Sequence, residues 1–273
     1  MWREEPDELV PEMKLGSGKQ RLHAAGPAII IVSVTIIAWE MIVRVFNIKP
    51  LFLPPPSLVA ENAARFGLML VPHISVTLYV TVAGFIVGAL LAVAMAVVIT
   101  YSTLFRNTLL PILLVVQSVP KQAFAPLVLV WFGYGDVPKI IIALLVGFFP
   151  IVIDTTAGLN AVEPELIDLA RTMQASNLKI LLKIRLPNSI PYFFNGLKIA
   201  AALSVVGALV AEFLTGTYGL GYMLLQAQFA MNMALIITII FILGLIGIGL
   251  FGAASLAERL AMPWKRRMGG GGG

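Results

Sequence analysis

The sequence predicts an all-α protein, a membrane helix bundle of about six transmembrane helices, and three observations carry that expectation. Of the 273 residues, 59% are hydrophobic and 12% charged, about half the charged share of an ordinary soluble chain. The mean hydropathy is +0.94. Several uncharged apolar runs reach the roughly 20 residues that a helix needs to cross a bilayer, the clearest being 234–257. A water-soluble globule could not solvate the surface that such a composition leaves.

The elements follow in order along the chain. Residues 1–26 are polar and mixed in charge, without the apolar core and small-residue cleavage site of a signal peptide, and read as a cytoplasmic tail. The membrane domain is expected over 27–262, with spans near 27–46, 74–100, 108–132, 138–159, 188–213 and 234–258 and a cytoplasmic loop at 160–187. Residues 263–273 form a basic tail ending in a glycine run at 269–273 that reads as an appended linker. An even number of spans puts both termini on one side. The bias of Lys and Arg makes that side the cytoplasm: Arg106, Arg171, Lys179, Lys183, Arg185, Arg259, Lys265, Arg266 and Arg267 fall inside, whereas 217–233 falls outside and carries no charge. Lys49 and Arg65 run against the bias, in an outer loop that holds Pro54, Pro55 and Pro56 and then an amphipathic stretch, 57–70, read as an interfacial helix.

Within the spans, Glu40 and Arg44 stand one helical turn apart and are expected to pair. Gly84, Gly88, Ala92 and Ala96 recur at four-residue spacing, which lets helix backbones approach closely in lipid. Pro120 and Pro126 break the third span into a kinked helix, and kinks of this kind often line a pathway. Beside Pro120 lie Gln117, Ser118 and Lys121, a polar group inside an apolar run. An ionisable side chain there must line water or find a partner. Lys121 fits either an anion in a pathway or a structural contact with a carbonyl or acid. Glu212 fits a gate at the outer mouth or a snorkelling role at a helix end, and Asp154 is placed to brace the cytoplasmic loop.

The chain contains no cysteine and two histidines, so thiol chemistry and a histidine-rich metal site are excluded and no metal ligands are assigned. The net charge of +5 is spent on membrane orientation, not on nucleic acid. Gly16-Ser17-Gly18-Lys19 looks like the tail of a phosphate-binding loop, but Gln20 follows it and residue 13 is Met. Without a reactive Cys, His, Gly-x-Ser-x-Gly or paired intramembrane aspartate, no catalytic residue can be named, and an intramembrane enzyme is the weakest of the function classes.

The segment 163–187 is a charged insertion of helical pattern. Pro164 stands at a helix start, with Glu165 and Asp168 toward its positive end and Arg171 beyond them. Leu166, Leu169, Ala170 and Met173 are expected on one face. Ser176 or Asn177 can cap a second stretch, 177–185, that Leu186 and Pro187 should end. The result is a helix–turn–helix at the membrane surface.

Asp168-Leu169-Ala170, Gln174 and Ile184-Arg185-Leu186-Pro187 together resemble the cytoplasmic "EAA" loop of ABC importer permeases, whose pattern is E-A-A-x3-G-x9-I-x-L-P. Asp168 stands for Glu, Leu169 for Ala and Gln174 for the Gly that a left-handed turn favours. Leu53-Pro54-Pro55-Pro56-Ser57, Val119-Pro120-Lys121 with Ala125-Pro126, Trp131-Phe132-Gly133, Phe148-Phe149-Pro150, and Ala211-Glu212-Phe213 before Gly219-Leu220-Gly221-Tyr222 extend the likeness over nearly the whole chain from residue 27. This ordered set resembles the nitrate/sulfonate/taurine-type permeases of binding-protein-dependent importers. The resemblance implies a type I ABC importer permease fold in the bacterial cytoplasmic membrane. It also implies a homodimer of permeases, two cytoplasmic ATPase subunits that bind ATP and Mg, and an extracytoplasmic solute-binding protein; this chain would carry no cofactor. The ATPase would be engaged by Glu165, Leu166, Asp168, Leu169, Ala170, Met173, Gln174, Ile184, Leu186 and Pro187. The pathway would include Gln117, Ser118, Lys121 and Glu212, and the substrate would be a small anion. The competing reading is a secondary transporter or channel with no ATPase partner.

Overall fold

The computed structural model describes residues 18–263, apart from the side chains of 18–25, 28 and 110. Residues 1–17 and 264–273, with most of the expected N-terminal tail and the glycine run, lie outside the described residues. Every regular element among the described residues is helical. In order they are α1 (Gly18–Val45), α2 (Pro56–Tyr101), α3 (Thr103–Gln117), a 3-10 turn (Lys121–Phe124), α4 (Ala125–Phe132) and α5 (Asp136–Asn160). There follow α6 (Pro164–Thr172), α7 (Asn177–Ile180), a π-helical turn (Leu181–Arg185), α8 (Leu186–Thr215), α9 (Leu220–Phe229) and α10 (Met233–Ala261).

Among the described residues, four helical runs are long and apolar enough to cross a membrane, namely Pro56–Tyr101, Asp136–Asn160, Asn177–Thr215 and Met233–Ala261, and α3 with the segment Lys121–Phe132 makes a fifth if that bent pair is one span. The remaining expected span coincides with α1, which starts earlier than residue 27.

The chain divides into two compact units, Met1–Leu58 and Val59–Gly273. In the first, Ile29, Ile30, Ile31, Val34 and Ile37 of α1 are all more than half exposed, so the stretch 29–37 is apolar around its circumference, as a lipid-solvated helix is. The expected ion pair is present, with Arg44 Nε 2.6 Å from Glu40 Oε1. The Ser57 N–H and hydroxyl donate to the two oxygens of the same carboxylate at 3.0 and 2.9 Å, which ties the proline turn to α1.

The second unit is built around the crossing of α5 and α8. A Cβ at Gly196 would lie 2.8 Å from the Pro150 carbonyl oxygen, and one at Gly207 would lie 2.8 Å from Ala143 Cα. These glycines therefore let two backbones touch, as small residues do in lipid. Phe149, Ile151, Val152, Phe194, Leu197 and Ala200 close the core around the contact. α2 joins through Gly84, whose Cβ would meet Ala143 Cβ at 2.7 Å, and its Ala92 and Ala96 are fully buried. The four-residue spacing thus marks a buried face.

Three expectations about element boundaries are corrected. The stretch 57–70 is not a separate interfacial helix. It is the first part of α2, a single helix of 46 residues, roughly 69 Å long at 1.5 Å per residue and so longer than a bilayer core. Ala60, Glu61, Ala63 and Ala64 favour helix, and no proline falls between Pro56 and Pro72. In the third expected span the break lies at 118–120, where the axis turns by 96°. Pro126 causes no kink because it occupies the first turn of α4, where its missing N–H is not needed. Pro187 does not end the helix before it. The π turn 181–185 carries an N–H of Leu186 to the carbonyl of Leu181, and this wider turn leads the chain into α8 with Pro187 in the first turn.

Candidate functional site

The segment between α5 and α8 is the helix–turn–helix expected from its pattern. α6 begins with Pro164 and Glu165 in its first turn. It ends in a turn where Gln174 adopts φ +57°, the left-handed region. The Ala175 N–H donates to the Ala170 carbonyl at 3.0 Å and the Gln174 N–H to that of Arg171 at 2.8 Å, the paired bonds of a Schellman cap. Gln174 thus holds the glycine geometry of the EAA pattern despite its Cβ. Ser176, not Asn177, is the cap of the next helix, its Oγ accepting the Lys179 N–H at 3.3 Å.

The expected apolar face splits in two. Ala170 turns inward with Ile167 and packs on Ile180, with Val162, Ala175 and Ile184 around them. Leu166, Leu169 and Met173 stay exposed at 45%, 57% and 75%. Residues three and four apart share one side of a helix, so these three form a continuous outer ridge while 167 and 170 form the inner one. Asp168 lies 3.5 Å from Arg171 and both are exposed. Leu186 is half-buried and Pro187 exposed where α8 begins.

This segment is strapped to the ends of the long helices by groups that sequence reasoning did not assign. Asn160 Oδ1 accepts from Arg106 and from Arg185, each at 3.3 Å. Arg185 also donates to the Leu159 carbonyl at 2.8 Å, Asn188 to that of Gly158 at 3.0 Å, and Arg106 to that of Thr100 at 2.6 Å. Cationic and amide donors here satisfy the last carbonyls of α5 and, at Thr100, of α2, where the helix dipole is negative. Tyr101 Oη donates to the Asn177 carbonyl at 3.2 Å. Asp154 does not brace the loop; its partner is Asn195 Nδ2 on α8 at 2.7 Å.

At the opposite end, Glu212 is fully buried and does not snorkel. Thr77 Oγ1 donates to its two oxygens at 2.7 and 3.0 Å, and the Gly221 N–H donates at 2.8 Å. Thr77 in turn accepts the Leu220 N–H at 2.8 Å. His73 Nδ1 accepts the Gly219 N–H at 3.2 Å, with its ring stacked near Tyr218 and Tyr222. Lys139, only 2% exposed, reaches the Tyr218 carbonyl at 3.3 Å and Asp136 at 3.4 Å. α2, α5, α8 and α9 are thus clamped on the 216–221 turn. Gly219 there has φ +127°, and a Cβ on it would lie 2.1 Å from Glu212 Cδ. The spacing of Asp136 and Lys139 was the one local signal for this cluster.

Gln117, Ser118 and Lys121 come together at the break after α3. Lys121 Nζ donates to the Gln117 carbonyl at 2.9 Å and sits 4.9 Å over the Phe149 ring, a cation–π contact. Beside it is a cavity of about 210 Å³ whose walls include Phe124, Leu127, Trp131, Leu145 and Phe149. Glu212 belongs to the other cluster, and no hydrogen bond or ion pair links it to Lys121 among the described residues.

Comparison with known proteins gives this arrangement its family. Residues 84–261 match the model of the binding-protein-dependent transport system inner membrane component. The chain belongs to that family. A probable ABC transporter permease of Haemophilus influenzae is 33% identical over 82% of this chain and 91% of its own length. The formylaminopyrimidine transport permease ThiX of Halalkalibacterium halodurans is 28% identical over 91% of this chain and 99% of its own. Relatives at 27% to 31% identity are named for riboflavin, aliphatic sulfonates, taurine and nitrate. The resemblance to nitrate/sulfonate/taurine-type ABC importer permeases is therefore borne out. A chain of the MetNI methionine ABC transporter superposes with a TM-score of 0.63 at 19% identity, covering 72% of this chain and 98% of that one. This likeness establishes the fold, and with the family match it makes the chain a multi-pass membrane protein of the type I importer permease fold.

Proposed function

We propose that this permease forms the substrate pathway of an ATP-driven importer and is driven through α6 by a separate cytoplasmic ATPase that binds ATP and Mg. The observation that carries the reading is the ridge of Leu166, Leu169 and Met173, apolar and uncovered on a helix whose other side is packed, within a segment fastened to the spans on either side of it through Asn160 and Arg185. A patch of this kind is an interaction site, and a helix so fastened transmits a push to α5 and α8 as a rigid body. Asp168 and Glu165 would make polar contacts at the rim of the docked surface. A second permease copy would complete the pathway, an extracytoplasmic solute-binding protein would deliver the solute, and both termini would lie in the cytoplasm of a bacterial cell. The chain would contribute no catalytic group. A small anion such as a sulfonate, nitrate or a taurine-like solute is the substrate class we favour on the charge of Lys121, although relatives are named for formylaminopyrimidine and riboflavin as well as for sulfonates, taurine and nitrate.

The test is uptake in vesicles that contain the permease with or without its ATPase and binding protein. Accumulation that requires ATP and the ATPase is the expected result. Accumulation driven by an ion gradient without the ATPase would instead establish a secondary transporter.

A further inference from the structure

One helical run, Asn177–Thr215, carries the chain from α7 through the π turn into α8 without a break. Leu182, Leu186, Pro187, Ile190 and Phe193 of this run, with Val93 of α2, line an apolar cleft of about 390 Å³. From Leu182 to Phe193 the helix rises roughly 16 Å at 1.5 Å per residue, close to the depth of one leaflet of a hydrocarbon core about 30 Å thick. The Leu182 end of the cleft lies near the point where Tyr101 of α2 donates to the Asn177 carbonyl, on the side that the Lys and Arg bias makes cytoplasmic.

That end is cationic. Lys179 and Lys183 are both exposed and one turn apart, and neither meets a carboxylate among the described residues. Residues three and four apart share a side of a helix, so Lys179 adjoins Leu182, and Lys183 adjoins Leu186 and Pro187. Two ammonium groups thus stand along the rim of the apolar cleft, and Leu178, 63% exposed, continues the apolar row beyond Leu182.

From this geometry we infer that the cleft is a site for one anionic phospholipid of the cytoplasmic leaflet, its phosphate on Lys179 and Lys183 and an acyl chain lying between α2 and α8. Lipid tails are as apolar as leucine, so the cleft by itself would hold any chain and select none. Selection comes from the head group, where two lysines complement a phosphate that no ammonium of the same lipid neutralises. The inference assigns Leu186 and Pro187 to the lipid and leaves the outer ridge of α6 to the ATPase. It needs only the membrane fold, so it stands or falls apart from the ATP-driven reading.

The test uses the assembled permease–ATPase complex in phosphatidylcholine nanodiscs doped with phosphatidylglycerol that carries a diazirine in one acyl chain. Illumination and peptide mapping should place the adducts in 182–193 and around Val93, and phosphatidylcholine with the same diazirine chain should label this stretch far more weakly. Lys179→Gln and Lys183→Gln should each cut the phosphatidylglycerol adduct roughly fivefold, the effect of one lysine at an anionic head group. The double variant should fall to the phosphatidylcholine level, and Lys183→Arg should keep the wild-type yield. Both side chains are exposed, so thermal unfolding of the variants should match the wild type. Equal labelling by the two lipids, or labelling unchanged in the double variant, would overturn the inference and leave a surface that any lipid covers. Absence of adducts in this stretch would also overturn it, and a disulfide between copies of Phe193→Cys would then name a second permease as the occupant. Release of the ATPase from the double variant would overturn it by assigning the two lysines to that subunit.

Discussion

Replacing Thr77 by Val tests the buried clamp at the 216–221 turn. Valine keeps the shape of the side chain and removes the hydroxyl that donates to Glu212 at 2.7 Å and accepts from the Leu220 N–H at 2.8 Å. Thr77, Glu212 and Leu220 are all fully buried, so water cannot replace these bonds. An unsatisfied buried amide costs about 1–3 kcal/mol, and a carboxyl group deprived of one donor a similar amount. Glu212 keeps the Gly221 N–H at 2.8 Å, and neighbouring losses share relaxation, which puts the expected destabilisation near 3 kcal/mol. At roughly 2–4 °C per kcal/mol for a chain of this size, Tm should fall by roughly 6–12 °C. Thr77→Ser keeps the hydroxyl and loses one methyl, worth about 0.8 kcal/mol, and should cost only a few degrees. The assay is thermal unfolding in nanodiscs with limited proteolysis at 216–219. A valine variant as stable as the serine variant would refute the reasoning that the hydroxyl bridges α2, α8 and α9.

Three further outcomes are expected. Gln174→Gly should raise stability by about 0.5–1 kcal/mol, because glycine takes φ +57° without the strain of a Cβ, while Gln174→Ala should change little; calorimetric unfolding compares them. Leu169→Asp should release the ATPase from the purified complex without lowering the permease's own Tm, since the residue is 57% exposed and touches the fold little; co-purification reads it. Gly196→Val should destabilise by about 1–3 kcal/mol or more, because even its Cβ would meet Pro150 and Ile151 backbone atoms at 2.8 and 2.9 Å; expression and Tm of the variant measure it.

Much of the architecture was readable because its physics is local. Apolar runs of bilayer length mark the spans, small residues at four-residue spacing mark the buried face of α2, and Pro164, Ser176 and the amphipathic pattern mark the helix–turn–helix. The boundaries were less readable. Pro187 breaks a helix by local rules, yet a π turn just before it carries the chain onward. Ala170 belongs by pattern with Leu169, but its burial against Ile180 depends on how α6 folds back on the next helix. The clamp at the far end was hidden for a different reason. Thr77 and Glu212 meet across 135 residues of sequence, and a local pattern carries no information about contacts so distant. Lys139 and His73 likewise acquire their partners only once α2, α5 and the 216–221 turn are together. For Lys121 the sequence left a carbonyl contact and an anion site open; the structure supplies the carbonyl, Gln117, and an apolar cavity beside it.

The central claim, that the outer ridge of α6 is where the ATPase drives this permease, has a direct measurement. The chain has no native cysteine, so a single cysteine can carry a photo-crosslinker without background. Leu169→Cys lies on the exposed ridge, whereas Ile167→Cys lies on the packed side, where the native residue is 6% exposed. In the assembled complex, a benzophenone maleimide on position 169 should crosslink to the ATPase subunit in high yield, and position 167 should label weakly and give no such product. No ATPase crosslink from 169, in a complex that still transports with ATP, would contradict the account.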